Sequence, residues 1–178
     1  MRKDYEIILK LIPENSKVLD IGCSDGELIS YLENKGVSAQ GVELNQEKVI
    51  KCLEKGLDVI HGDINLIVED FPFNQFDYCL LTQTIQAVQK PDQLLNTLKK
   101  VSKNIIVSFN NSARLSKISN FLLSGSFDSL LKKADSDHWY NTDYIHPCSI
   151  KDFKKLAENL DLKIISTFDV INQRKFEN

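Results

Sequence analysis

Short apolar runs alternate with longer amphipathic stretches along the first 110 residues. The short runs predict five buried strands, at 17–21, 38–44, 57–62, 76–83 and 104–109. Apolar residues that recur every three or four positions predict helices at 4–12, 27–35, 46–56 (with Val49, Ile50 and Leu53 facing inward) and 91–101. Because strands and helices alternate, the chain is predicted to form an α/β fold with a doubly wound, mostly parallel sheet.

The pattern changes after residue 109. Residues 110–149 are rich in Ser, Asn and Asp and contain one helical stretch, 115–123. Ser149 and Asp152 predict a capping box that opens a further helix, and the β-branched stretch 163–170 predicts a sixth strand. Because long segments at the carboxyl edge of a sheet are usually functional, 110–149 is predicted to cover a binding pocket within a single domain, 1–178.

Composition narrows the classes of function. The net charge of −3 and the pI near 5.6 argue against a nucleic-acid surface, which needs a clustered basic excess. No apolar run approaches the length that spans a membrane. The four cysteines lack the paired spacing of a zinc site or a disulfide framework, so no metal is predicted. These features predict a cytoplasmic protein with free thiols.

A glycine-punctuated turn, DIGCSDGE at 20–27, joins the first strand to the next helix. Such a turn points backbone N–H groups and a helix dipole at a ligand. Dinucleotide sites need G-x-G-x-x-G, but Ser24 replaces the second glycine and Glu27 the third. Because Asp20, Asp25 and Glu27 would repel a pyrophosphate, the turn favours a ligand with a cationic amino-acid end, such as S-adenosylmethionine (SAM).

Acids also stand at the ends of the next two strands. Glu43 lies near the end of the second strand, where a carboxylate can accept both hydroxyls of a ribose. Asp63 and Ile64 follow the third strand. Because the carboxyl ends of parallel strands share one edge of the sheet, the three acids indicate a single binding site.

Four stretches resemble the MetW family of methionine-biosynthesis proteins, within the class I SAM-dependent methyltransferases. The spacing D-x-G-x-x-x-G, formed by Asp20, Gly22 and Gly26, resembles motif I of that superfamily. The stretches are RKDYEIILKLIPENSKVLDIGCSDGELI, GVELNQEKVIKCLEKGLDVIHGDI, FDYCLLTQTIQAV and HWYNTDYIHPCSIKDF. The last two discriminate most, since the first two recur in most class I enzymes.

The resemblance implies SAM or S-adenosylhomocysteine (SAH) as cofactor, with Asp63 on N6 of adenine and Ile64 against the ring. The cofactor-binding candidates are Asp20, Gly22, Cys23, Ser24, Gly26, Glu43, Leu44, Asp63, Ile64 and Gln83. The substrate-side candidates are Gln83, Trp139, Tyr140 and His146. His146 is the one plausible base among them, with a structural histidine that bonds a backbone group as the alternative, so no catalytic residue is assigned.

The chain departs from the family pattern in two places. The family usually has glycine where this chain has Ser24. The chain also stops soon after the sixth strand, which predicts that the seventh strand of the class I fold is missing and that strand five keeps an open edge. Either the C-terminal residues then fold back over that edge, or a second copy of the chain in a homodimer or a partner protein covers it. We expect self-association, or a native chain longer than 178 residues.

Two functions of different class remain open. The first is a SAM-dependent methyltransferase that acts on a small molecule. The second is a non-catalytic SAM-binding partner of a homoserine acyltransferase in methionine biosynthesis, which the MetW resemblance implies. Asn/Asp-Pro-Pro-aromatic, the signature of amino-group methylation on bases and glutamine, is absent after strand four.

Overall fold

The computed structural model describes residues 1–128, 145–172 and 174–176. Its central sheet has five parallel strands in the order β3-β2-β1-β4-β5. These strands are β1 (Lys17–Ile21), β2 (Ser38–Glu43), β3 (Val59–His61), β4 (Phe76–Thr82) and β5 (Ser102–Ser108). The predicted mostly parallel α/β sheet is therefore confirmed.

The helices of the described chain are α1 (Lys3–Leu11), α2 (Glu27–Asn34), α3 (Gln46–Glu54), α4 (Ile64–Ile67), α5 (Pro91–Val101), α6 (Leu115–Ser124) and α7 (Ile150–Asn159). A short 3-10 helix, Val68–Asp70, continues α4. The capping box of α7 is confirmed, since Ser149 Oγ accepts from the Asp152 amide and Asp152 Oδ2 from the Ser149 amide. The segment between β3 and β4 is therefore partly helical.

Helices cover both faces of the sheet, as a doubly wound fold requires. One core lies between the sheet and α1, α2 and α3, with Ile8, Leu32 and Cys52 fully or almost fully buried. The other lies beneath α4, α5 and α7, where Leu95 and Leu98 are the most deeply buried helical residues. The helices on the two faces leave the carboxyl ends of the strands uncovered.

The prediction of which residues of α3 face inward is wrong in part. Val49 is buried as expected, but Ile50 and Leu53 are 48% and 56% exposed. Cys52 takes the inward place, because the helix contacts the sheet through positions three residues apart.

The predicted sixth strand also differs from the structure. Only β6 (Thr167–Asp169) is extended, and it pairs antiparallel with β7 (Arg174–Phe176) in a separate two-stranded sheet. Asp169 causes this reversal, since its carboxylate accepts hydrogen bonds from the amides of Ile171 and Asn172. Among the described residues, β5 therefore has no strand on its outer side.

None of the helices in the described ranges is long and apolar enough to cross a membrane.

Candidate functional site

The order of the strands defines a crevice at the centre of the sheet. From β1 the chain moves outward through β2 to β3, and β4 then returns to the opposite side of β1. In open α/β sheets this reversal is where ligands bind, outside the carboxyl ends of the strands. The turn after β1 and the end of β4 border the crevice.

The turn after β1 is held by its own amides. Gly22, Ser24 and Gly26 adopt left-handed φ angles of 72°, 54° and 76°. The amides of Gly22 and Cys23 donate to Val42 O, that of Ser24 to Glu43 Oε2, and that of Gly26 to Cys23 O. The expectation that these N–H groups point at a ligand is therefore wrong for four positions of the turn. A pyrophosphate would lack the donors that it needs there.

Thr84 explains why Gly22 has no side chain. The hydroxyl oxygen of Thr84, Oγ1, lies 3.0 Å from Ile21 O. A Cβ built on Gly22 would lie 2.8 Å from Thr84 Oγ1. Gly26 is equally restricted, since its Cβ would lie 2.3 Å from Leu57 Cδ1. Sequence reasoning missed Thr84, although it falls in the TQTIQAV stretch.

Asp20 is a buried carboxyl group without a partner. It is 1% exposed, and neither of its oxygens makes a hydrogen bond within the described structure. Burial raises its pKa to about 7, the positive charge of Arg2 lowers it, and Glu43 raises it further. Such a group calls for a ligand that can donate to it, because an unpaired buried carboxylate is costly.

Glu43 lies at the end of β2 and is 8% exposed. Its Oε2 accepts from the Ser24 amide at 2.8 Å and its Oε1 from the Asn45 amide at 2.9 Å. Each carboxylate oxygen has a second lone-pair site. Glu43 can therefore fix the turn and still accept the hydroxyls of a ribose.

Cys23 faces the protein interior. Its side chain is 4% exposed, and its sulfur lies 2.6 Å from where a Cβ on Gly41 would stand. Burial raises the pKa of its thiol, as expected for an inert cysteine. Cys23 was predicted to bind the cofactor, but because its side chain is buried, only its backbone could contact a ligand.

The predicted adenine side of the site lies at β3. Asp63 is the N-cap of α4, and its Oδ1 accepts from the Asn65 amide at 2.9 Å. Ile64 is 8% exposed and belongs to the core. Leu44 follows the neighbouring strand β2 and is 66% exposed. His61 Nε2 lies 3.0 Å from Leu44 O and ties the ends of β2 and β3 together.

Gln83 and His146 lie on the other side of β1. Gln83 follows β4 with a left-handed φ of 61°, a strained conformation that concentrates at functional sites. His146 Nε2 lies 3.2 Å from Gln89 O, so this nitrogen must be the donor. That contact matches the structural alternative for His146. Trp139 and Tyr140 lie outside the described residues.

Gln86 joins these elements and was missed as a site residue. It is 2% exposed, and its Nε2 lies 3.3 Å from Asn110 O and 3.2 Å from His146 O. Its Oε1 accepts from the Asn110 amide at 2.9 Å, and its carbonyl accepts from the amides of Ile145 and His146. Its presence in the TQTIQAV stretch was the only signal for this role.

Solved structures with the same fold define the class. A SAM-dependent methyltransferase from Archaeoglobus fulgidus aligns with a TM-score of 0.68 at 19% identity, over 93% of this chain and 73% of that one. The plantazolicin methyltransferase BamL, in complex with SAH, aligns at 0.64 and 17% identity, over 89% and 57%. The [4+2]-cyclase SpnF aligns at 0.65 and 16% identity, over 89% and 56%. The fold is that of the class I SAM-dependent methyltransferases.

The family follows from sequence. The family model for "Methionine biosynthesis protein MetW" matches residues 2–177, and the chain belongs to this family. The bifunctional methionine biosynthesis protein MetXA/MetW of Rhodopirellula baltica is 32% identical over 170 residues, 90% of this chain. The chain spans 27% of the length of that relative.

Proposed function

We propose that this protein binds SAM across the carboxyl ends of β1, β2 and β3 and transfers its methyl group to a small molecule. The observation that supports this most directly is Asp20, buried at the end of β1 with both oxygens unpartnered. An ammonium group would satisfy it, and SAM carries one. The satisfied amides of the turn weigh against the alternative, a dinucleotide.

The neighbouring strand ends suit the rest of the cofactor. In this proposal Glu43 accepts the ribose hydroxyls, Asp63 accepts from the adenine, and Leu44 and Ile64 provide apolar contacts. Glu43 already has its carboxylate held by two amides, so its orientation is fixed before a ligand arrives. A pre-organised acceptor binds with less loss of entropy.

When bound, SAM would supply an activated methyl group for transfer to the acceptor, with SAH as the leaving group. The chain contributes proximity and orientation, through Gln83 and the segment 110–149, as the proposed wall of the acceptor site. Its backbone strain at Gln83 supports a functional role for the end of β4.

Calorimetry tests cofactor binding directly. We expect SAH to bind, and NAD not to bind, because four amides of the turn already have acceptors within the protein and would not be available to a pyrophosphate. Binding of NAD without binding of SAH would overturn the proposal.

A second function of different class has support from two observations. The Rhodopirellula baltica relative is named as a bifunctional MetXA/MetW protein, in which a MetW part is joined to another methionine-biosynthesis part. In this chain the ring of His146 bonds a carbonyl, so the one predicted base is engaged. The second candidate is therefore a SAM-binding partner of a homoserine acyltransferase, without chemistry of its own.

One paired assay separates the two functions. The protein is incubated with SAM and a small-molecule extract of its source cell, and SAH formation is measured. In parallel, it is mixed with the homoserine acyltransferase of that cell, and complex formation and acyl transfer are followed with and without SAH. Extract-dependent SAH formation supports methyl transfer. A complex that changes acyl transfer, with no SAH formed, supports the partner function.

A further inference from the structure

Helix α6 makes little contact with its own domain. Every other helix in the described ranges buries at least one residue, but none of the residues of α6 is buried. Only Lys117 and Phe121 are partly covered, and their spacing of four residues places them on one side of α6, which faces the domain. Because an isolated helix of this length is marginal in water, α6 needs a further packing partner.

The outer side of α6 carries an apolar stripe. Leu115, Ile118 and Leu122 recur at intervals of three and four residues, which places them on one face of the helix. Leu115 is 80% and Leu122 75% exposed, and the exposed side chain of Leu123 lies beside them. The other exposed residues of α6 are small or uncharged: Ser116, Ser119, Asn120 and Ser124. A contiguous apolar surface of this kind is typical of a protein–protein contact.

The stripe belongs to a helix whose two ends are well defined. At the amino end, the amides of Lys117 and Ile118 donate to Arg114 O. At the carboxyl end, Gly125 adopts a left-handed φ of 65°, and its amide donates to Phe121 O. The ring of Phe127 then lies 5.1 Å from that of Phe121. The apolar residues are therefore held in a fixed spacing.

The charges of α6 run against its own dipole. Arg114 is the N-cap residue and Lys117 lies in the first turn, which contains no acid. Burial and the charge of Arg114 both lower the pKa of Lys117. The last turn contains no cation, and Asp128 follows it. Since a helix is partly positive at its amino end and partly negative at its carboxyl end, α6 has a positive and a negative end that its own charges do not offset.

A second copy of α6 in the antiparallel direction accounts for both features. In a pair centred close to Ile118, Leu115 of each copy lies opposite Leu122 of the other. Arg114 of each copy then lies at the carboxyl end of the other helix, where the dipole favours a cation. A parallel pair would bring the cations of both copies together. The antiparallel contact is self-complementary, as a two-fold interface requires.

We propose that two copies of this chain associate through α6, as an antiparallel pair of helices with Leu115, Ile118 and Leu122 at its centre. This surface is distinct from the edge of β5, and the inference does not depend on the binding of SAM. Because α6 belongs to the segment 110–149, proposed as the wall of the acceptor site, the second copy would border that site.

Cysteine cross-linking tests the arrangement. Leu115→Cys, Ile118→Cys and Leu122→Cys are each made together with Cys148→Ser, which removes the one native cysteine that is not buried. The variants are oxidised with copper phenanthroline, alone and in pairwise mixtures, and covalent dimers are measured. Ile118→Cys should cross-link with itself. Leu115→Cys should cross-link with Leu122→Cys when the two are mixed, and much less with itself. Leu66→Cys, at an exposed position of α4, is the matched control and should give no dimer.

Sedimentation equilibrium over a range of concentrations measures the association itself. We expect the wild-type protein to dimerise and Leu122→Asp to weaken the dimer by about a factor of ten or more, because each copy would bury a charge in the contact. Leu66→Asp is the control and should dimerise like the wild type, and unfolding midpoints show that both variants are folded. The inference is overturned if the wild-type protein stays monomeric, if Leu122→Asp dimerises equally well, or if Leu115→Cys cross-links with itself as readily as with Leu122→Cys.

Discussion

Glu43 Oε2 accepts a hydrogen bond from the amide of Ser24 at 2.8 Å, so the second strand fixes the turn that follows the first. Ser24 has a left-handed φ of 54° without being glycine. A residue with a Cβ pays about 1–2 kcal/mol for this conformation. The Glu43 contact stabilises the backbone of this strained residue.

Replacing Ser24 with glycine should therefore stabilise the protein. We expect Ser24→Gly to raise the free energy of unfolding by about 0.5–1 kcal/mol, after the larger entropy of glycine in the unfolded chain is subtracted. Ser24→Ala is the control, because it removes the hydroxyl and keeps the strain. Urea denaturation measures both. A glycine variant no more stable than the alanine variant would show that the strain is not relieved.

Glu43→Ala should affect both stability and ligand binding. Loss of the carboxylate leaves the amides of Ser24 and Asn45 without their acceptor, which costs about 2–3 kcal/mol. If Glu43 also accepts the ribose, SAH should bind at least tenfold more weakly.

Glu47→Ala serves as the control for Glu43, since it removes the same charge from an exposed position of α3. Chemical denaturation and calorimetry are run on both variants. Unchanged SAH affinity in folded Glu43→Ala would place the ribose elsewhere.

Asp20 should make the stability of the ligand-free protein depend on pH. Its pKa is raised to about 7 in the folded protein, so between about pH 4 and 7 the folded state binds a proton that the unfolded state has released. The free energy of unfolding should fall as pH rises through this range. The groups that act on or respond to Asp20 are Arg2, Tyr5, Cys23 and Glu43.

Asp20→Asn tests this dependence. It should remove most of the slope and stabilise the ligand-free protein above pH 7, by at most about 4 kcal/mol, since one pKa unit corresponds to about 1.4 kcal/mol. Denaturation at pH 5 and pH 8 is the measurement, with exposed Asp70→Asn as the control. An identical slope in wild-type protein and Asp20→Asn would contradict the assignment.

Gln86→Ala should loosen the attachment of two segments at once. It removes a side chain that is 2% exposed and leaves the Asn110 amide without its acceptor, at an expected cost of about 2–3 kcal/mol. Hydrogen exchange at the amides of Asn110 and His146 should accelerate. Gln89→Ala is the control, because its carbonyl and not its side chain bonds His146. Equal exchange in both variants would argue against the role of Gln86.

Local pattern was sufficient to predict much of the fold. The limits of β1 agree with the prediction to the residue, and Ser149 and Asp152 form the predicted capping box. Both depend on residues close in sequence. The inward face of α3 was misjudged at Ile50 and Leu53, because the orientation of a helix on a sheet depends on the residues it meets there.

The candidate site was predicted only in part, for the same reason. Asp20 and Glu43 were found because strand ends carry recognisable signals. The role of Thr84 beside Gly22 and that of Gln86 beside Asn110 depend on contacts between residues distant in sequence. Burial raises the pKa of Asp20 and the charge of Arg2 lowers it, and neither effect can be predicted from local sequence pattern.

The bonds of Gln86 to Asn110 and His146 bring both ends of the intervening segment to one side-chain amide. Lengthening a closed loop costs only about 0.6 kcal/mol for each doubling. Chain exchanged between these two anchors would therefore leave the sheet and the turn intact. A different sequence between these anchors would change the surface next to Gln86, while Asp20 and Glu43 keep their places at the ends of β1 and β2.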